Sequence, residues 1–281
     1  MRTTILAIQK MKDSGQPIPV LTAYDATAGR LVEAAGVPLI LVGDSLGMTV
    51  QGNETTIPVT LDEMIYHTRM VVRGTSKALI VLDLPFMTYN ISPEQALTSA
   101  GRAMQEGGAG AVKMEGGARM APIVERVVGS GIPVMAHIGL TPQSVFQLGG
   151  WKIQGRTAES AQRLIDDAIA LEQAGAFAIV LETIPAALAK VITERLHIPT
   201  IGIGAGPACD GQVQVFHDVL GLYEEHVPKH AKQYTHLGEI IRAAVGDYVR
   251  EVGAREFPTT EQSIGMDQSV IAELYGYHAN H

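Results

Sequence analysis

Cysteine is almost absent from this chain: Cys209 is alone among 281 residues. An intramolecular disulfide is therefore excluded, and a reducing compartment fits. Basic clusters are missing as well. The formal charge is −8, from 21 Lys and Arg against 29 Asp and Glu. That balance argues against nucleic acid as a partner, because phosphate binding needs concentrated cationic side chains. Long apolar runs are lacking too. The opening stretch "MRTTILAIQKMKDSG" holds one short apolar patch, soon broken by Gln9, Lys10, Lys12 and Asp13. It is too polar for a signal peptide, too short to span a bilayer and too poor in Arg and Ser for a transit peptide. The expectation is a cytoplasmic protein with no membrane partner. The same stretch reads as an amphipathic helix, with Ile5, Ile8 and Met11 at helical spacing and Thr4 as its cap.

What the chain does have is apolar material in regular order. It is 46% hydrophobic and 18% charged, a balance that suits a compact enzyme better than a disordered or fibrous chain. The length allows one or two domains, and one large α/β barrel falls within it. Strand candidates are Pro19–Asp25, Pro38–Asp44, Ala78–Asp83, Ala111–Glu115, Pro133–Gly139, Phe177–Glu182, Thr200–Gly204 and, less sharply, Val213–Asp218. Helices lie between them. "SPEQALTSAGRAMQEGG" offers Ser92 as N-cap, Pro93 at the first helical position, Gln95 to complete a capping box and Gly107–Gly108 as the stop. Ala96, Leu97, Ala100 and Met104 would be its apolar face. "TAESAQRLIDDAIALEQAGA" repeats the plan, with Leu164, Ala168 and Leu171 inward and Gly175 at its end.

Eight strands alternating with helices, without a long linker, predict a (β/α)8 TIM barrel with an N-terminal helix and a C-terminal helical extension, "THLGEIIRAAVGDYVREV". A doubly wound open sheet is the rival. It would gather its charged strand ends at one switch point, whereas here they are spread over many strands. No internal repeat, low-complexity run or second-domain boundary is visible. We expect one barrel domain over 1–281, with 265–281 as a tail.

Several strands carry a charge out to their carboxyl ends: Asp44 in "LVGDS", Asp83 in "VLDLPF", Glu115 in "VKMEGG", His137 in "MAHIG" and Glu182 in "VLETIP". In a barrel these ends open on one face, where active sites form. Neighbouring strands lie about 4.8 Å apart, so Asp44, Asp83 and Glu115, from the second, third and fourth strands, would converge. Like charges that close raise one another's pKa unless a cation compensates. Oxygen ligands without Cys nearby point to Mg²⁺ or Mn²⁺. Lys113, two residues before Glu115, projects to the same face and suits an anionic substrate or a developing enolate. His137 could donate to the same oxygen. Glu182, from the sixth strand, stands nearly opposite the second, and beside apolar Val180 and Ile184 it is a candidate general base with a raised pKa. Each acid alone could equally be an N-cap for the next helix, His137 a satisfied core histidine, and Lys113 a simple ion-pair partner. The constellation favours chemistry over those separate readings.

Weaker signals remain. "GIGAG" at 202–206 could nest an anion or pack tightly. "FQLGGWKIQGRTAES" could be a lid over the mouth or a surface loop. His217–Asp218 could be a further strand-end pair. Cys209 has no evident base nearby and reads as structural.

Taken together, "LVGDSLGMTVQG", "PVTLDEMIYHTRMVVRG", "LDLPFMTY", "AVKMEGG", "HIGLTPQSV", "GGWKIQGR", "ALEQAGAFAIVLETIP" and "IPTIGIGAGPACDGQVQVFHDVLGL" resemble the ketopantoate hydroxymethyltransferase family, in order from about Thr4 to about Ser263. The resemblance implies a Mg²⁺-dependent (β/α)8 enzyme of pantothenate synthesis. Such an enzyme passes a one-carbon unit from 5,10-methylenetetrahydrofolate to 3-methyl-2-oxobutanoate, giving 2-dehydropantoate through a metal-stabilised enolate. It implies Asp44, Asp83 and Glu115 as metal ligands, and Ser45 and Lys113 at the carboxylate end of the oxo acid, where Asp44 and Asp83 also face substrate. Glu182 would be the proton acceptor. Thr183 follows that Glu where a Cys or similar small residue is usual. A large homo-oligomer, often a decamer, is implied as well, and residues beyond Gly265 extend past the family's common end.

Two other readings compete. Lyases and mutases of the phosphoenolpyruvate mutase/isocitrate lyase type also bind Mg²⁺ and 2-oxo acids. They generally use a catalytic Cys in a loop after a middle strand, and Cys209 comes too late in the chain. A non-catalytic metabolite-binding barrel would need the metal and Lys113 but not Glu182.

Overall fold

The computed structural model describes residues 1–223 and 227–278. Eight strands form its wall: β1 Ile18–Thr22, β2 Leu39–Val42, β3 Leu79–Asp83, β4 Ala111–Glu115, β5 Val134–Gly139, β6 Ala178–Glu182, β7 Thr200–Ile203 and β8 Gly211–Gln214. They close in sequence order, and every neighbouring pair is parallel, β8 pairing back onto β1. The open-sheet alternative is thereby excluded.

Period-2 alternation divides the strand residues between two cores. One side chain set, including Val20, Leu39, Leu41, Leu79, Val81, Ala111, Met135, Val180 and Ile201, fills the barrel interior. The other set, including Ile40, Val42, Ile80, Leu82, Val112, Met114, Ile138, Ile179 and Leu181, packs outward against the helices. The same parity puts Asp83, Lys113, Glu115, His137 and Glu182 on the inward set, at the end where the strands run out. The N-terminal helix, Ile5–Asp13, closes the opposite end: Ile8 is fully buried in the interior core, with Ile5 and Met11 against it. Thr4 caps that helix by accepting from Ala7 N.

The helix ends follow their local chemistry. Ser92 accepts from Gln95 N, and Pro93 opens the helix Pro93–Gln105. Gln95 Oε1 accepts from Ile91 N, one residue earlier than a capping box requires. Ala96, Ser99, Ala100 and Ala103 are that helix's buried face, so the stripe is rotated from the expected one, with Ser99 and Ala103 inward. In Ala158–Gln173 the buried residues are Leu164, Ile165, Ala168 and Leu171, as the periodicity predicts.

Two strands end more than two residues from where they were expected to. Asp25 does not end β1; it caps the helix Ala26–Ala34 by accepting from Ala28 N. The eighth strand is Gly211–Gln214 rather than Val213–Asp218, and His217 and Asp218 lie in the short helix Phe216–Leu220. Gly211 is forced by closure: a Cβ there would stand 2.3 Å from Ile18 O.

The wall is uncovered at β8 and β1, where outward-pointing Pro19 and Gln212 are exposed. A groove of about 960 Å³ runs along it, lined by Lys12, Pro19, Cys209, Asp210, Gln212 and His230 among others. The helix Leu237–Ala254 has no buried residue, and Ile240, Val245, Tyr248 and Val249 on it are exposed. The tail carries a second helix, Gln268–His278. Among the described residues no helix is long and apolar enough to cross a membrane.

Candidate active site

The inward residues at the carboxyl ends of β2 to β6 form one continuous polar row inside an otherwise apolar cylinder. Asp83 and Lys113 are paired in register, as are Glu115 and His137. Asp44 lies two residues beyond β2. All five are at most 4% exposed. None of these acids accepts a capping hydrogen bond from the helix that follows, unlike Asp25.

Lys113 Nζ donates to both Asp83 oxygens, at 2.8 and 2.7 Å, and stands 3.6 Å from Glu115 Oε1. His137 lies between two acids, its Nδ1 3.5 Å from Glu115 Oε1 and its Nε2 3.3 Å from Glu182 Oε2. Both ring nitrogens and Glu115 Oε1 are buried without a hydrogen-bond partner. Burial and the Lys113 charge oppose protonation of His137, yet Glu115 and Glu182 outweigh them and raise its pKa to about 9. Burial likewise opposes the Lys113 charge, and the surrounding carboxylates more than compensate, holding it protonated. For Asp44, burial adds to repulsion from Asp83 and Glu115, and its pKa rises well above the ordinary range. Burial raises Asp83 despite Lys113, whereas Lys113 and His137 outweigh burial at Glu115 and lower it.

Glu182 ends β6, largely buried, between buried Val180 and Ile184. Its turn is tightly drawn. Gly139 has φ +95°, and a Cβ there would meet Glu182 O at 2.2 Å. Thr183 has φ +50°, a left-handed conformation costly for a β-branched residue. It is pinned by Thr183 N donating to Ile203 O and by Gln154 N donating to Thr183 O. The second contact ties the glycine-rich 149–157 loop to the Glu182 turn. Ser45 Oγ shares a 2.9 Å hydrogen bond with Tyr24 OH.

The other singled-out residues lie elsewhere. Cys209, half-buried with its thiol pKa pushed up by burial, lines the outer groove, as do Gly204 and Gly206. That groove touches none of the strand-end acids. His217 packs against the rings of Tyr24, Phe216 and Tyr223, and Asp218 accepts from Tyr223 OH.

Two residues that sequence reasoning passed over belong to the site. Gln143, 4% exposed, donates from Nε2 to Asp44 Oδ2 and from its backbone to Glu115 Oε2. Tyr89, fully buried, donates to Gln143 Oε1. Their only sequence signal is a polar residue in a loop after a strand end.

Among the described residues, no three or more His, Cys, Asp or Glu side chains are already arranged to hold a metal ion; Lys113 engages both oxygens of Asp83. The donor set nevertheless fits a hard divalent cation. It consists of buried carboxylate oxygens, one of them without a hydrogen-bond partner, and four acids outnumber the two cationic groups beside them.

Such a site can bind an anionic oxo acid, polarise it and move a proton. Comparison with known proteins is more specific. Residues 2–260 match the family described as ketopantoate hydroxymethyltransferase. A 3-methyl-2-oxobutanoate hydroxymethyltransferase from Chloroflexus aggregans is 58% identical over 276 residues, covering 98% of each chain. One from Dehalococcoides mccartyi is 57% identical over 274 residues, covering 98% of this chain and 97% of its own. Among solved structures, a phosphoenolpyruvate phosphomutase from Streptomyces platensis subsp. rosaceus superposes with a TM-score of 0.60, covering 98% of this chain and 96% of its own. It is 15% identical, so that likeness is one of fold.

Proposed function

From the premise that the chain belongs to the ketopantoate hydroxymethyltransferase family, we propose the following account of its action. It is an enzyme that transfers a hydroxymethyl group to 3-methyl-2-oxobutanoate, giving 2-dehydropantoate for pantothenate synthesis. The one-carbon donor is 5,10-methylenetetrahydrofolate. Asp44, Asp83 and Glu115 would hold Mg²⁺, which when bound supplies Lewis acidity at the keto and carboxylate oxygens of the oxo acid.

The chain's own residues do the rest. Lys113, buried and cationic, neutralises negative charge that develops on the oxo acid, and Ser45 binds at its carboxylate end. Glu182, or a water it orients, takes the proton from C3 of the substrate. His137, protonated between Glu115 and Glu182, holds the base in place, and it donates toward the enolate oxygen by turning one N–H away from its carboxylate as charge develops there. The low-dielectric interior strengthens each of these interactions. The observation that carries this reading is the buried row Asp83–Lys113–Glu115–His137–Glu182, with a cation, a proton donor and a base supplied from four neighbouring strands.

Lyase or mutase chemistry of the phosphomutase type has only the shared fold in its favour, since Cys209 lies on the outer wall. Self-association, with a decamer as the family expectation, is supported by the uncovered apolar side chains of Leu237–Ala254. Sedimentation of the full chain tests it.

The activity is tested by NMR with 3-methyl-2-oxobutanoate, Mg²⁺ and methylenetetrahydrofolate. We expect 2-dehydropantoate to accumulate, and a chelator to stop it. No product with all components present would overturn the reading.

A further inference from the structure

Asp44, two residues beyond β2, and Glu115, at the end of β4, are joined by one residue, through its side chain at the first and its backbone at the second. Gln143 stands in the turn after β5, 99 residues from Asp44 and 28 from Glu115 in sequence. Its Nε2 donates to Asp44 Oδ2 at 2.9 Å and to Leu84 O at 2.9 Å, and its backbone N–H donates to Glu115 Oε2 at 3.1 Å. Tyr89 OH donates to Gln143 Oε1 at 2.6 Å and accepts from Glu115 N at 3.0 Å.

The polarity of this network admits one arrangement. A carboxamide has two donors on nitrogen and an acceptor on oxygen. If the Gln143 amide were flipped, its oxygen would face Asp44 Oδ2 and Leu84 O, acceptor against acceptor. Its nitrogen would face a phenol already accepting from Glu115 N. The Tyr89 proton therefore goes to Gln143 Oε1, and both amide N–H groups are committed to Asp44 and Leu84. The consequence at the acids is specific. Asp44 Oδ2 and Glu115 Oε2 each receive an N–H, so neither oxygen can itself donate there. Glu115 Oε1 is left buried without a hydrogen-bond partner.

Resting on the cation reading above, we infer that Gln143, keyed by Tyr89, is a positioning residue. It anchors Asp44 and Glu115 by one oxygen each and so keeps both as oxygen donors to a divalent cation and the oxo acid it accompanies. Partners behind metal-binding side chains fix ligand orientation in this way, and their loss commonly weakens binding about 10–100-fold.

The test uses the full-length protein and Mn²⁺ alone, titrated by electron paramagnetic resonance, with the melting temperature and the KM for 3-methyl-2-oxobutanoate recorded beside it. Gln143→Leu should weaken Mn²⁺ binding about 10–100-fold. Tyr89→Phe, which removes the key and the acceptor for Glu115 N but leaves the Gln143 contact to Asp44 in place, should weaken it less. The double variant should exceed the Gln143→Leu loss by less than the whole Tyr89→Phe loss, because the part of the Tyr89 effect that passes through Gln143 is already gone. A loop-bracing role would lower the melting temperature of both variants while leaving Mn²⁺ affinity at the wild-type value, and that result overturns the inference. So does strict additivity of the two losses. If Gln143→Leu does not fold, Tyr89→Phe decides: Mn²⁺ affinity equal to wild type refutes the role. A wild-type protein that binds no Mn²⁺ removes the cation reading itself, and this inference with it.

Discussion

The two ends of the barrel are built on opposite principles. At the floor, several charged groups are engaged by the fold. Arg2 donates to Thr75 Oγ1, Thr75 O, Val72 O and Ala78 O. Glu33 accepts from the backbone N–H groups of Ser76, Lys77 and Ala78. Lys12 pairs with Asp210 at 2.8 Å, which also accepts from Thr200. Ile8 seals the apolar interior. At the mouth, His137 and Glu115 Oε1 are buried without hydrogen bonds, and Thr183 holds a left-handed conformation. One end has its charged groups engaged by the fold; the other leaves buried polar groups unpaired, as the proposed substrate site would need. Strain and unpaired polar groups that would be defects at the floor are what a preorganised site requires.

That contrast can be broken by showing that mouth substitutions act on stability or floor substitutions on chemistry. The largest expected effect is at Glu182. Glu182→Gln should lower kcat by about 10²–10⁴, or about 3–5 kcal/mol on the barrier, with a melting temperature near that of wild type. A comparable loss of thermal stability would mean that the acid is structural. Next comes Ile8→Ala. Removing a fully buried side chain from the floor should cost about 2–4 kcal/mol by denaturant titration, with kcat per folded molecule nearly unchanged. A selective fall in kcat would show the two ends coupled.

The floor also has a pH signature. Partial burial opposes ionisation of Glu33, but the three backbone donors outweigh it and hold its pKa below the ordinary value. A lowered folded pKa means that the contribution is complete above about pH 4.3 and is lost as pH falls through the folded value. Wild type should therefore be more stable than Glu33→Gln near neutrality, and the gap should narrow in acid. A gap that is constant with pH would contradict the charge-based account. The smallest effect belongs to Thr183→Gly. Relief of the positive φ should offset the greater freedom of the unfolded chain, leaving stability within about 1 kcal/mol. The looser Glu182 turn should lower kcat measurably. An unchanged kcat would mean that the strained turn does not position the base.

How far the sequence could be read follows the same division. The barrel and the ends of β3 to β6 were legible because each strand is a short apolar run closed by a charge, and period 2 fixes which side chains face in. β8 was misplaced because "GQVQ" lacks the β-branched and aromatic density of a strand, while "VFHDVL" imitates one. Ring closure, a tertiary constraint, selects the former. Asp25 closes the strand candidate Pro19–Asp25, and its hydrogen bond from Ala28 N makes it a helix cap instead. Gln143 and Tyr89 stayed hidden for a related reason. Neutral polar residues in loops acquire meaning only when the fold brings them to carboxylates far away in sequence.

The central claim is that the mouth holds a base aimed at C3 of a bound 2-oxo acid. It is tested most directly by following exchange of the C3 hydrogen of 3-methyl-2-oxobutanoate in D₂O with Mg²⁺ present and the folate donor omitted. Wild type should exchange it rapidly, and Glu182→Gln should bind the oxo acid yet exchange it about 10²–10⁴ times more slowly. Exchange at the wild-type rate by Glu182→Gln would contradict the assignment.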